Sequence, residues 1–145
     1  MDKKQEWIAL VERKSQHYLN LGDGGFDENM KARLVACDYE EQSVTYRFET
    51  QPWQINERGG IHGGAIAGMF DTAFGVVANL TAGDNEAATT DMTISFLRGV
   101  ALGMEVDLKV YIVKAGRSLI RQRAELYDAA SGKLLATGSG SWMPL

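Results

Sequence analysis

The sequence predicts an α+β fold: an antiparallel sheet curled around one long central helix, with a second helix at the N-terminus. Three observations predict it. Segment 63–82 is apolar around nearly its whole helical circumference, so it needs cover on all sides. Four later segments alternate apolar and polar residues, and the last three are joined by the short turns "KAGRS" and "DAASGK", which makes them antiparallel neighbours. Two more strand-like segments precede the helix, so strands from both sides of it can close over one apolar rod.

In chain order, residues 3–20 form an amphipathic helix with Trp7, Leu10, Val11, Tyr18 and Leu19 near one stripe. His17 falls near its end as a surface or packing residue. "LGDGGFDEN" reads as a loop. Segments 31–38 and 43–50 read as strands joined near "YEEQ". In the second, Val44, Tyr46 and Phe48 alternate with Thr45, Arg47 and Glu49, and Pro52 ends it. "QINERGG" leads as a loop into the central helix, which Gly83 closes. "ATTDMTISFL" then sets Met92, Ile94 and Phe96 against Asp91, Thr93 and Ser95. "MEVDLKVYIV" sets Val106, Leu108, Val110 and Ile112 against Asp107, Lys109 and Tyr111. "SLIRQRAELYD" puts Leu119, Arg121, Arg123, Glu125 and Tyr127 on one face. "KLLATGSGSWM" brings Ala136, Gly138 and Gly140 to one face, small enough for a helix to approach closely.

The 145 residues suit one domain, 1–145, of which 1–25 is the N-terminal helix and loop. A net charge of −4 is not the basic excess of a nucleic-acid binder, so no nucleic-acid partner is expected. Any anionic ligand needs a local group of Lys or Arg. Cys37 is the only cysteine, which excludes an intrachain disulfide and fits a small core hydrophobe in a reducing cytosol. "MDKKQEWIALVERK" has no apolar leader stretch, and a cytoplasmic location is expected. The run "GAIAGMFDTAFGVVANL" is broken by Asp71 and short for a bilayer, so no membrane is expected. His17 and His62 lie far apart and give no ligand spacing, so neither a metal nor a cofactor is expected. Gly-x-Ser-x-Gly is absent, and "GDGG" at 22–25 follows no strand, so it is not a dinucleotide fingerprint.

One charge stands out. Asp71 is the only ionisable residue in the central helix, and a buried acid without a partner is costly. It either hydrogen-bonds a neighbour, pairs with an arginine, or serves chemistry. The helix begins at "HGG", and open N–H groups there, backed by the helix dipole, make an anion site. Such a site suits the oxyanion of acyl transfer, and a carboxylate suits its base or nucleophile. Gly63 and Asp71 are eight residues apart, about 12 Å at ~1.5 Å per residue, so one subunit cannot bring both to one carbonyl. Two such helices, antiparallel across a two-fold axis, can. An enzyme of this kind is expected to be an obligate homodimer with interface sites.

"N-E-R-G-G-I-H-G-G", followed by Asp71 nine residues after the histidine, resembles the hotdog-fold acyl-CoA thioesterases, in the PaaI-like (phenylacetate-pathway) branch. The resemblance extends through "TTDMTISFLRGV" and "AGRSLIRQRAELYDAASGKLLATGSGSW", about residues 30 to 143. It implies that Gly63 N–H polarises the thioester carbonyl and that Asp71 of the other subunit is general base or nucleophile. It further implies that His62 orients the loop or bonds near the thioester, and that Asn56 orders the loop and holds water or carbonyl. Thr89 matches a Ser/Thr position that assists the water or the aspartate. Each has a plainer alternative: His62 as a helix cap, Asn56 as a turn residue, Thr89 as an edge hydroxyl.

The implied substrate is an acyl group on coenzyme A. Arg98 and Arg117, at strand ends, are the candidates for its phosphates, although relatives often carry proline where this chain has Gly99. Ile66, Phe70 and Phe74 are the candidate acyl-pocket residues, with Gly64 for close packing. The family's dimers pair into tetramers. Two other readings of the same fold are a non-catalytic acyl-CoA binding module and a hydratase or dehydratase.

Overall fold

The computed structural model describes residues 1–145. Helix α1 (Lys3–Leu19) starts at a capping box in which Asp2 and Gln5 exchange side-chain bonds with each other's backbone N–H. A short helix α2 (Phe26–Met30) follows, then β1 (Arg33–Asp38) and β2 (Ser43–Glu49). A single 3-10 turn (Pro52–Gln54) precedes the central helix α3 (Gly63–Thr81). The chain ends with β3 (Ala87–Phe96), β4 (Glu105–Ala115), β5 (Ile120–Asp128) and β6 (Leu134–Pro144).

The six strands form one antiparallel sheet in the order β1-β2-β4-β5-β6-β3. The hairpins β4–β5–β6 follow the short turns, and β3 returns to pair beyond β6. Both β1 and β3 are left as free edges. The period-two residues of the strands face α3: Tyr46, Phe48, Val106, Leu108, Val110, Ile120 and Leu126 are all buried. Fully burying each large apolar side chain stabilises the fold by roughly 1.5–3 kcal/mol.

Gly138 sits where α3 touches the sheet. A Cβ there would lie 2.8 Å from the Phe70 ring, so the small face predicted on the last strand admits the helix at this point. Phe74 packs on Trp142 with ring centroids 4.6 Å apart. Gln122 Nε2 donates to the Phe74 carbonyl at 3.1 Å, which fixes the helix along the sheet. Helix α1 covers the other half of the same face through a buried Ser15–Tyr46 hydroxyl pair at 2.7 Å.

Three sequence expectations change here. The loop read at 21–29 contains α2, which Lys31 closes in a left-handed conformation at φ 54°, so the strand read from 31 begins at Arg33. Phe70 and Phe74 are fully buried under the sheet in the single chain and line none of its main clefts. Helix α3 is also long and apolar enough to cross a membrane, unlike the reading from its length, but 72% of that window is buried inside the chain.

Candidate active site

The loop before α3 is set by Asn56. Its Oδ1 accepts from Arg58 N at 2.9 Å and Gly60 N at 3.2 Å, and its own N–H donates to Gly60 O at 2.7 Å. Gly59 supplies the left-handed residue that the turn needs, at φ 86°. Two further backbone bonds, Ile61 N to Val100 O and His62 N to Gln54 O, both 2.8 Å, tie the loop to its surroundings.

His62 is the N-cap of α3. Its Nδ1 accepts from Gly64 N at 2.8 Å, which leaves Nε2 to carry the ring proton. A Cβ on Gly64 would stand 3.0 Å from that nitrogen, so the close approach at Gly64 is to the imidazole, not to the sheet. Ala65 and Ile66 both donate to the His62 carbonyl, at 2.9 and 3.1 Å. Gly63 N–H is left as the first-turn donor with no partner in the chain. The first turn holds no acidic residue, so the positive end of the helix dipole is uncompensated.

That open donor borders a cleft of about 520 Å³ lined by Asn56, Arg58, Gly63, Ile66, Phe96 and Arg98 among others. Arg98 is exposed and makes no ion pair, while Arg58 pairs only with its neighbour Glu57. Phe96 turns out of the core to wall the cleft against Gly63. Sequence reasoning missed Phe96 and Arg58, and the signal for Phe96 was its place as the last apolar residue of β3, beside the helix start.

Asp71 is exposed in the single chain, which overturns the expectation of a buried acid. It lies on a stripe of α3 with Gly64, Ala67 and Gly75 that the sheet does not cover. One flank of the stripe is held by α2: Phe26 lies over Gly68, and Thr72 Oγ1 donates to Asp27 Oδ1 at 2.7 Å. Edge strand β3 holds the other flank, where Thr89 Oγ1 donates to Asp71 Oδ1 at 3.0 Å. Asn79 Oδ1 accepts from Ala87 N at 2.7 Å and sets the start of β3 against the helix.

The chain thus brings together Asn56, His62, Gly63, Ile66 and Arg98 at one end of α3, and Asp71 with Thr89 farther along it. Arg117 is not with Arg98. Its turn joins β4 to β5, next to Ile120, which pairs with Trp142 and through it reaches Thr89, the far end of β3. There it shares a separate cleft with Lys114 and Arg121.

A long central helix wrapped by an antiparallel sheet of this order is the hotdog fold. The family model of the thioesterase superfamily matches residues 58–134, more than half of the chain. The chain is similar to acyl-coenzyme A thioesterase 13 of Mus musculus, at 28% identity over 79% of this chain and 81% of the relative. Among solved structures it superposes on thioesterase superfamily member 2 of zebra fish with a TM-score of 0.80, at 21% identity over 93% of this chain and 97% of the other. It superposes likewise on the PaaI protein of the E. coli phenylacetic acid degradation operon, with a TM-score of 0.77, at 18% identity over 94% and 96% of the two chains. The protein belongs to the thioesterase superfamily.

Proposed function

We propose that this protein hydrolyses acyl-CoA thioesters to a free acid and coenzyme A, at two sites shared across a homodimer. The observation that carries the reading is the open Gly63 N–H at an uncompensated helix N-terminus, facing a cleft. The thioesterase name of its curated relative supports the same substrate class.

In this mechanism the thioester carbonyl oxygen accepts from Gly63 N–H. The partner subunit's Asp71 takes a proton from water as the water oxygen bonds to the carbonyl carbon. Gly63 holds the oxyanion, the C–S bond breaks, and coenzyme A leaves as a thiolate that regains a proton. Direct attack by Asp71, with water then cleaving the anhydride, uses the same geometry. Asn56 keeps the loop in shape and can hold the water or the carbonyl, His62 presents the helix start, and Thr89 orients the carboxylate. Arg98 and Arg58 suit the phosphates of coenzyme A, and Arg117 can reach them only from the partner subunit.

The dimer follows from β3. Its free edge lies beside Asp71 through Thr89 and beside Gly63 through Phe96. Antiparallel pairing of two such edges sets one chain's Thr89 end against its partner's Phe96 end. Pairing of dimers into a tetramer is compatible with this arrangement.

The test is thiol release from a panel of acyl-CoAs by wild type and Asp71→Ala, with light scattering on both. A folded, dimeric variant slower by at least ~10²-fold is expected of a lost general base. Equal rates would remove Asp71 from the mechanism, and no turnover by wild type would remove the activity.

A further inference from the structure

Phe70 and Phe74 are closed off beneath the sheet, so the acyl group of the proposed substrate needs other walls. A second cleft, of about 480 Å³, opens between α2 and the 3-10 turn, lined by Gly24, Gly25, Phe26, Asn29 and Trp53. Its two large side chains are exposed, Phe26 at 57% and Trp53 at 56%. Single exposed apolar residues are ordinary, but two large aromatics lining one cleft stand out as a pair.

Both walls are joined to the start of α3. His62 N–H donates to the carbonyl of Gln54, the residue after Trp53, which ties the turn that bears the indole to the helix start. Phe26 lies over Gly68, one turn beyond Gly64, close enough that a Cβ on Gly68 would stand 2.5 Å from Phe26 Cζ. One glutamine holds the walls together. Gln51 Oε1 accepts from Trp53 Nε1 at 3.1 Å while its Nε2 donates to Asn29 O of α2 at 2.9 Å. The Asp27–Thr72 bond pins α2 to α3 beside Asp71. The aromatic pair is therefore a fixed cleft beside α3, with Phe26 against Gly68, five residues along the helix from the Gly63 donor where the scissile carbonyl would sit.

We infer that Phe26 and Trp53 form the walls of the acyl subsite, clamped by Gln51, and that they select large apolar acyl groups over short ones. The inference rests on the acyl-CoA reading above.

The experiment measures kcat/KM for acetyl-, hexanoyl-, dodecanoyl- and benzoyl-CoA with wild type, Phe26→Ala, Trp53→Ala and Gln51→Ala. Light scattering accompanies each variant. Wild type is expected to favour the larger acyl groups. In each wall variant the ratio of dodecanoyl to acetyl turnover should fall roughly tenfold or more, the scale of losing a buried apolar contact. An unchanged ratio in both wall variants overturns the inference. So does loss of the dimer in either, which would assign the aromatic pair to the subunit contact. If wild type cleaves no thioester, the activity fails separately. The subsite is then tested by dodecanoyl-CoA quenching of indole fluorescence, expected in wild type, and absence of a difference from Trp53→Phe overturns it.

Discussion

Thr89 Oγ1 donates to Asp71 Oδ1 at 3.0 Å, so a hydroxyl on the edge strand sets the orientation of the only charge on α3. Strand and helix meet there on the face that the sheet leaves open.

In the proposed mechanism Thr89 acts through Asp71 as a positioning residue. Thr89→Ala should lower kcat roughly tenfold with KM little changed, since a bond to a charged group is worth about 1.5–3 kcal/mol and this one is exposed. Thr89→Ser should restore most of the rate. Steady-state kinetics on both variants checks this, and a change confined to KM would contradict it.

Gly63→Pro isolates the proposed oxyanion donor. Gly63 is the first residue of α3, where proline is well accepted, and His62 at φ −60° and ψ 137° has the extended geometry that precedes proline. The variant should fold and lose only an N–H that no group in the chain uses. Turnover should fall by about 10²–10³, the cost of one oxyanion donor. Circular dichroism with kinetics distinguishes this from a folding defect.

Gly138→Ala should destabilise the fold. Its Cβ would stand 2.8 Å from Phe70 Cδ1 and Cε1, both fully packed, and overpacking of this kind costs about 1–3 kcal/mol. Urea unfolding should show a lower midpoint at an unchanged slope.

Acid stability should depend on Glu41. The Lys109 ammonium at 2.9 Å and the Ser43 hydroxyl at 2.8 Å hold its carboxyl below the ordinary value of 4.5. A carboxyl lowered in the native state adds stability above its unfolded value, and that contribution is lost as pH falls through the native one. Glu41→Gln should therefore be less stable than wild type at neutral pH and match it in strong acid. Melting temperatures across pH measure the gap.

The order of elements was legible because period is local. Val44, Tyr46 and Phe48 repeat every two residues, and α3 is apolar on every side. Helix α2 was not, since five residues after a glycine-rich loop show no period. The side of α3 that meets the sheet was also hidden. Phe70 and Phe74 read as well for a pocket as for a core, and only the strand register puts Gly138 and Trp142 opposite them. Asp71 read as buried because the helix around it is apolar, whereas the sheet stops short of its stripe. The helix start was the clearest part of the site. Its pattern specifies a cap and a glycine in sequence, although the open Gly63 donor emerges only once His62 accepts from the other three N–H groups.

The sheet's two free edges differ in character. Strand β1 has six residues, a register shift between Leu34 and Ala36, and Arg33 ion-paired to Glu49 and Glu105. Strand β3 also has a register shift, between Thr89 and Asp91, but it has ten residues and apolar Phe96 at its end. Short, charged edges resist adding strands, and longer ones with an apolar end invite it. A pairing through β3 consumes both inviting edges at once and leaves only the two blunted ones outward. Growth of the sheet then stops at two chains, and the same asymmetry guards against an open-ended fibre.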